Sequence, residues 1–227
     1  TSMASYYDNT FPNTIPQLFN DKGFISTAHH NYTDHYYPRN DFHPAIGFDQ
    51  YKDAYAMGMI EEGEYEDSQP PWMSDLEMFE KTLDDVISDE PFFAYYLTVS
   101  GHLPYDETHE TASEHYDKII EIYEENDREI PEDESIVYHH AAHYDFDLAL
   151  GYLMDTLEAE GLLDDTVIWI QSDHYAYGMN RDTISEIDTW KGTDETRLNM
   201  HNVPLSIHHS SLDGRTVSHT FSNIDVM

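Results

Sequence analysis

The sequence predicts an α/β fold in which a mainly parallel β-sheet is covered by helices. Segments rich in β-branched and aromatic residues alternate along the chain with segments of helical periodicity. Each helical segment leads into a short apolar run of strand length, which is the pattern of βαβ units. The 227 residues contain no linker rich in Pro, Gly or Ser. We therefore expect one domain, or most of one.

The first predicted elements are a short helix and a strand. Residues 12–22 have the composition of a helix and are followed by Gly23, a residue type that commonly ends one. A strand is predicted at 24–28. The polar and aromatic segment 29–43 is predicted to be a loop, and the acidic segment 61–67, which has no apolar periodicity, is predicted to lie on the surface.

Two longer helices are predicted, each followed by a strand. Residues 74–88 carry apolar side chains at three- and four-residue spacing and lead into a strand at 92–99. Residues 135–160 carry one apolar stripe, stop at Gly161 and lead into a strand at 166–171. A last strand is predicted at 203–208. Long connections remain at 29–70, 103–134 and 175–202, and such loops commonly build the site of an α/β enzyme.

The charge balance excludes one class of partner. Asp and Glu total 46 against 10 Lys and Arg, giving a formal net charge of -36. Such a surface repels nucleic acid and anionic membranes, so a nucleic-acid-binding role is not expected. No apolar stretch approaches the roughly 20 residues that cross a bilayer. The absence of Cys excludes disulfides, thiolate metal sites and Cys nucleophiles.

Histidines follow three of the predicted strands, at the point where each strand ends. Asp173-His174 comes after the strand at 166–171, Gly101-His102 after the strand at 92–99, and His29-His30-Asn31 after the first strand. The carboxyl ends of parallel strands meet at one edge of a sheet, where ligands bind. Carboxylate oxygen and neutral imidazole nitrogen suit a hard or borderline divalent cation. Asp173 and His174 can share a cation only if the chain has already left the strand there.

The same residues also have simpler interpretations. With 15 histidines in the chain, one near any given strand end is unsurprising, and His102 taken alone is as readily a surface residue. Arg39 stands in a long loop of a chain with few basic residues, which suits phosphate or sulfate binding or, equally, a salt bridge. Four further histidines are interpreted as solvated or packed, and two acids as a polar helix face: His139, His140, His208, His209, Asp145 and Asp147.

Several segments resemble a known family. Residues 91–105 read PFFAYYLTVSGHLPY, residues 172–175 read SDHY, and residues 202–208 and 218–226 read NVPLSIH and SHTFSNIDV. In order and spacing they are similar to the motifs of lipoteichoic acid synthase-type phosphoglycerol transferases, members of the sulfatase and alkaline phosphatase superfamily. The resemblance extends from about residue 9 to residue 227.

The resemblance implies a metal-dependent site. Asp173 and His174 would be two ligands of a catalytic divalent cation, Mn²⁺ or Mg²⁺, with Zn²⁺ or Ca²⁺ as alternatives. His29, Arg39 and His102 would bind the phosphate and glycerol oxygens of an anionic glycerophospholipid head group or a glycerol-phosphate polymer. His102 would also be a proton donor to the leaving group. The family places such domains at the extracellular face of the cell membrane, or secretes them.

The chain also departs from the family pattern. We find neither the strand that bears a metal-binding Glu nor the segment that bears a nucleophilic Thr, both of which normally precede the matched part. Residues 1–227 are therefore expected to be a partial sulfatase-like catalytic domain, incomplete at both ends, with weak metal affinity and little turnover as an isolated chain. The alternatives are another phospho- or sulfo-ester hydrolase of the superfamily, a noncatalytic module that binds envelope polyanions, and a surface that collects cations unspecifically.

Overall fold

The computed structural model describes residues 6–33, 37–61, 64–65, 70–180, 182–184 and 203–217. These residues form five α-helices and five β-strands. In chain order the elements are α1 (Ile15–Asn20), β1 (Ile25–His30), α2 (Arg39–Ala45), β2 (Gln50–Lys52), α3 (Asp75–Ser88), β3 (Phe92–Leu97), α4 (Glu110–Glu125), α5 (Glu134–Ala159), β4 (Ile168–Gln171) and β5 (Leu205–His208).

A three-stranded parallel sheet positions two of the three predicted strand ends. Its strand order is β2-β1-β3, with Thr27 of β1 opposite both Gln50 and Ala94. Because the strands run parallel, the segments that follow β1 and β3 leave the sheet at one edge. The predicted parallel α/β architecture is confirmed in this sheet.

The strand that precedes Asp173 belongs to a second sheet. β4 pairs with β5 in antiparallel orientation, and Gln171 lies opposite Leu205. Within the described ranges these two strands are not hydrogen-bonded to β1–β3. The sequence pattern indicated both strands, but it does not specify which strands pair.

Helices cover both faces of the parallel sheet. On one face, Tyr96 of β3 stacks on Phe79 of α3 with ring centroids 4.2 Å apart. On the other face, Phe93 stacks on Phe19 of α1 at 4.5 Å. Side chains at odd and even positions of a strand point to opposite faces, so β3 contributes to both layers.

The two longest predicted helices are confirmed, and two further helices, α2 and α4, were missed. α3 begins after Ser74, whose hydroxyl accepts a hydrogen bond from the Glu77 amide at 3.0 Å, and α5 spans Glu134–Ala159. α4 lies in the segment that the sequence left as a long connection. It packs against α5 through a small buried cluster made of Ala112, Ile119, Val137, Ala141 and Ala142. In the part of the chain that the structure describes, no helix is long and apolar enough to cross a membrane.

Candidate active site

His102 lies in the loop after β3 and is held by three neighbours. Its ring stacks on Trp72 with centroids 4.6 Å apart and an interplanar angle of 23°. Its Nδ1 lies 2.8 Å from the Leu103 carbonyl oxygen, so the N–H at Nδ1 donates there. Nε2 is left as the acceptor, and it lies 3.2 Å from the Tyr177 hydroxyl. Packing and hydrogen bonding thus fix both the ring orientation and the tautomer.

Asp173 and His174 lie beside His102. β4 ends at Gln171 and the chain bends after it. Asp173 and His174 are therefore no longer part of a strand, as two neighbouring residues must be if their side chains are to share a cation. His174 Nε2 lies 3.5 Å from Asp173 Oδ2, while His174 Nδ1 lies 2.9 Å from the Tyr175 carbonyl oxygen. The His174 and His102 rings are 6.0 Å apart between centroids. The structure therefore brings the ends of β3 and β4 together.

The structure does not bring His29 to this cluster. Its side chain is 1% exposed and stacks on Tyr96 at 4.6 Å, on the face of the sheet that α3 covers. Burial lowers its pKa to about 3. The reason is strand alternation: β1 extends to His30, so residues 29 and 30 point to opposite faces.

His30 replaces His29 in the candidate site. Its Nδ1 lies 2.9 Å from the Leu97 carbonyl oxygen, at the end of β3. Burial, and then the positive charge of Arg39, lower its pKa to about 4. The His30 imidazole therefore lies close enough to the Arg39 guanidinium for the charge of Arg39 to affect its pKa. The structure thus brings His30 rather than His29 near Arg39, and phosphate binding by either histidine stays a prediction.

Arg39 is the first residue of α2 and lies on the same face as His30. Its Cζ is 5.1 Å from the centre of the Tyr37 ring. Tyr95 of β3 connects it electrostatically to Asp173: burial raises the pKa of Tyr95, the Arg39 charge lowers it and the Asp173 charge raises it. The charges of Arg39 and Asp173 therefore both affect the pKa of the Tyr95 hydroxyl.

The Asp173–His174 pair fits a divalent cation. Two ligand atoms each about 2.1 Å from a cation are about 3.0–3.4 Å apart at octahedral or tetrahedral angles. The observed separation of 3.5 Å between Asp173 Oδ2 and His174 Nε2 is close to this range. The donation from His174 Nδ1 to a carbonyl leaves Nε2 as the ligating nitrogen. Among the described residues, however, no group of three or more His, Asp or Glu side chains could hold a metal.

A buried carboxylate fixes the loops that carry these residues. Asp75, at the start of α3, is 0% exposed. Its Oδ1 accepts from the Asn31 side-chain amide at 2.7 Å and from the backbone amides of Val99 and Ser100 at 2.9 and 3.1 Å. Its Oδ2 accepts from the Ser100 hydroxyl. One side chain therefore ties the segment after β1 to the segment after β3. No signal in the sequence predicts that Asp75 ties these segments together or that Trp72 stacks on His102.

Substitution at Asp75 should separate its hydrogen bonding from its charge. Asp75→Ala leaves Asn31 and two backbone amides buried without their acceptor, so we expect it to lower the free energy of unfolding by about 3–5 kcal/mol. Asp75→Asn retains an acceptor oxygen and removes a buried charge whose pKa burial raises to about 6. It should lie within about 1 kcal/mol of the parent. Urea unfolding at pH 7 measures both, and equal losses in the two variants would contradict this role.

Comparison with known proteins defines the family. A sequence model of the sulfatase family matches residues 5–227. The chain belongs to the sulfatase family. Among similar proteins, it is 25% identical to lipoteichoic acid synthase 2 of Bacillus subtilis (strain 168) over 99% of this chain and 33% of that protein. It is also 26% identical to lipoteichoic acid synthase 1 of the same strain, over 97% of this chain and 32% of that protein.

Solved structures with the same fold agree with this sulfatase-family assignment. The crystal structure of the lipoteichoic acid synthase LtaP from Listeria monocytogenes matches with a TM-score of 0.67 at 21% identity, covering 93% of this chain and 49% of that chain. A protein in the alkaline phosphatase superfamily from Vibrio parahaemolyticus matches with a TM-score of 0.55 at 17% identity, covering 93% and 44%. The predicted alkaline phosphatase/sulfatase-like fold is confirmed. The chain spans about a third of the length of the B. subtilis relatives.

Proposed function

We propose that this chain is the part of a metal-dependent phosphoglycerol transferase that binds the cation and the phosphate. The observation that carries the proposal is the convergence of His102, His174 and Asp173, with rings 6.0 Å apart, beside a face that presents Arg39 and His30. This combination of cation ligands, a guanidinium and imidazoles suits a ligand that carries one phosphate next to hydroxyl groups. The proposed substrate is an anionic glycerophospholipid head group or a glycerol-phosphate polymer at the outer face of the cell membrane.

Each site residue has a proposed role. Asp173 and His174 would hold Mn²⁺ or Mg²⁺, and that cation, when bound, would act as a Lewis acid on a phosphoryl oxygen. Arg39 would hold two phosphate oxygens through its planar guanidinium, with His30 beside it. His102 has an acceptor Nε2 in its present tautomer, and its protonated form would donate from that atom to the leaving glycerol oxygen.

We further propose that residues 1–227 form one partial domain with little turnover as an isolated chain. Two observations support this. The part of the chain with described coordinates supplies two cation ligands rather than three, and structural cation sites usually have at least three protein ligands. The sequence also shows no counterpart of the family's nucleophilic Thr segment.

A binding titration tests the proposal. We expect glycerol phosphate to bind the chain at least about tenfold more tightly with Mn²⁺ than with a chelator, because the cation offsets the repulsion between the phosphate and an acidic protein. Arg39→Ala should weaken binding about tenfold or more in both conditions. Arg215→Ala is the matched control, since Arg215 is exposed and lies outside the cluster. Equal binding by the Arg39 and Arg215 variants would refute the phosphate site.

One alternative function is favoured by the incomplete ligand set. A noncatalytic module that recognises envelope polyanions would bind glycerol phosphate through Arg39 and the histidines with no dependence on Mn²⁺. The same titration therefore distinguishes the two functions. Another ester hydrolase of the superfamily would be recognised by the esters that the complete protein cleaves.

A further inference from the structure

A second cluster of imidazoles lies on α5, outside the candidate active site. His139 and His143 are one helical turn apart, and their ring centroids are 4.2 Å apart. The pair packs against the loop after β3 from the side of α5: a Cβ on Gly101 would lie 3.2 Å from His143 Nε2. Gly101 therefore leaves room beside this nitrogen that any larger residue would occupy.

Both rings have a nitrogen suited to a metal. His143 Nδ1 lies 2.9 Å from the His139 carbonyl oxygen, so it carries the proton and Nε2 has the free lone pair. His139 Nδ1 is buried and has no hydrogen-bond partner among the described residues. Leaving a buried nitrogen without a hydrogen-bond partner costs free energy. A cation would remove this cost by binding Nδ1 directly. Alternatively, it would bind Nε2 and so fix the tautomer of the ring.

The surroundings keep these imidazoles in the form that binds metals. Burial lowers the pKa of His139 to about 3, so the ring is neutral at physiological pH and its lone pair is not protonated. The neighbouring His140 is used differently, because its Nδ1 lies 2.9 Å from the Tyr123 hydroxyl on α4. The pair is therefore His139 with His143, and His140 serves as an internal comparison.

We propose that His139 and His143 form a two-imidazole site for a transition-metal dication of the zinc, nickel or copper class. Two neutral imidazoles at positions i and i+4 of a helix present nitrogen donors to one ion, as in the helical His pairs of zinc enzymes. An all-nitrogen donor pair follows the Irving–Williams preference and discriminates against Mn²⁺ and Mg²⁺. This chemistry differs from the oxygen-containing pair Asp173–His174, and the formal charge of -36 would concentrate any dication near the chain.

The test is calorimetric titration of the full 227-residue chain with Ni²⁺ in the presence of excess Mn²⁺. We expect one Ni²⁺ site that Mn²⁺ does not displace. His143→Gln should weaken it at least about tenfold, because a single imidazole cannot chelate. His143 is exposed, so this variant is expected to fold, and far-UV circular dichroism checks that it does. His140→Gln and His174→Ala are the matched controls and should retain the site.

Three outcomes would overturn the inference. Ni²⁺ affinity in the His143 variant could equal that of the parent chain. The His174 variant alone could abolish binding, which would assign the ion to the candidate active site. All three His variants could reduce binding by a similar small amount, which would indicate unspecific collection of cations by a chain with 15 histidines. Since the readout is Ni²⁺ binding, a failure of the proposed transferase function would leave this test unaffected.

Discussion

Acidification from pH 7 to pH 5 should lower the free energy of unfolding by about 3 kcal/mol or more, a large part of the total stability of a domain. One large cause is a pair of buried imidazoles at the end of β1, and His139 of α5, whose pKa burial also lowers to about 3, adds to the loss. His29 and His30 are 1% and 7% exposed, and burial lowers their pKa values to about 3 and about 4. Neither can be protonated readily without unfolding the sheet end that holds it.

The sign follows from which state binds the proton. In the unfolded chain both imidazoles titrate near pH 6.5, whereas in the folded chain they remain neutral until about pH 3–4. Their stabilising contribution is therefore complete above pH 6.5 and is lost as the pH falls. Each histidine costs about 1.4 kcal/mol per pH unit, so the two together cost about 4 kcal/mol at pH 5.

Two effects of acidic residues oppose this loss. The pKa of Asp75 is raised to about 6, so its protonation in the folded state returns about 1 kcal/mol between pH 6 and pH 5. Neutralisation of ordinary carboxylates would relieve the repulsion within a chain of net charge -36, but it occurs mainly below about pH 4.5. The histidine effect therefore dominates between pH 7 and pH 5.

Urea unfolding at pH 7, 6 and 5 measures the effect, and one variant assigns it. His29→Phe fills the same space against Tyr96 and cannot be protonated, so it should remove about half of the contribution that His29 and His30 together make to the pH slope. His208→Phe is the control, because His208 is exposed on β5 and its replacement should leave the slope unchanged. A parent chain with the same stability at pH 7 and pH 5 would show that the buried imidazoles do not control acid stability.

The regular elements were predictable where local pattern and tertiary environment agree. The apolar spacing of residues 74–88 and the Ser74 cap determine α3, and the long stripe at 135–160 determines α5. α4 was missed because few apolar side chains mark its buried face: Ala112 and Ile119 are its buried apolar residues. The pairing of β4 with β5 depends on long-range contacts that periodicity does not contain.

The candidate site was predictable to the level of strand ends and no further. Asp173, His174 and His102 lie close together as expected, although β4, which precedes Asp173, pairs with β5 in an antiparallel sheet rather than with β1–β3. The sequence could not indicate that His29 faces α3, because a difference of one residue in the end of β1 reverses which face a side chain takes. The stacking of Trp72 on His102 joins residues from different elements, and only tertiary structure reveals it.

If the chain acts in the transferase proposed above, His174→Ala in that enzyme should reduce phosphoglycerol transfer by about 10³-fold, equivalent to about 4 kcal/mol of transition-state stabilisation. The loss is expected because this imidazole and Asp173 Oδ2, 3.5 Å apart, are the two proposed cation donors in the cluster. His102→Ala should reduce transfer by about 10²–10³-fold through a different cause, the loss of a proton donor.

Excess Mn²⁺ distinguishes the two variants. A weakened cation site is refilled by mass action, so millimolar Mn²⁺ should restore part of the activity of the His174 variant. It should not restore the His102 variant, whose cation ligands are intact. His208→Ala, at an exposed position on β5, controls for the loss of a histidine as such. If the His174 variant kept parental activity in the presence of a chelator, the cation role of the Asp173–His174 pair would be refuted, and the site would have to act through Arg39 and imidazoles alone.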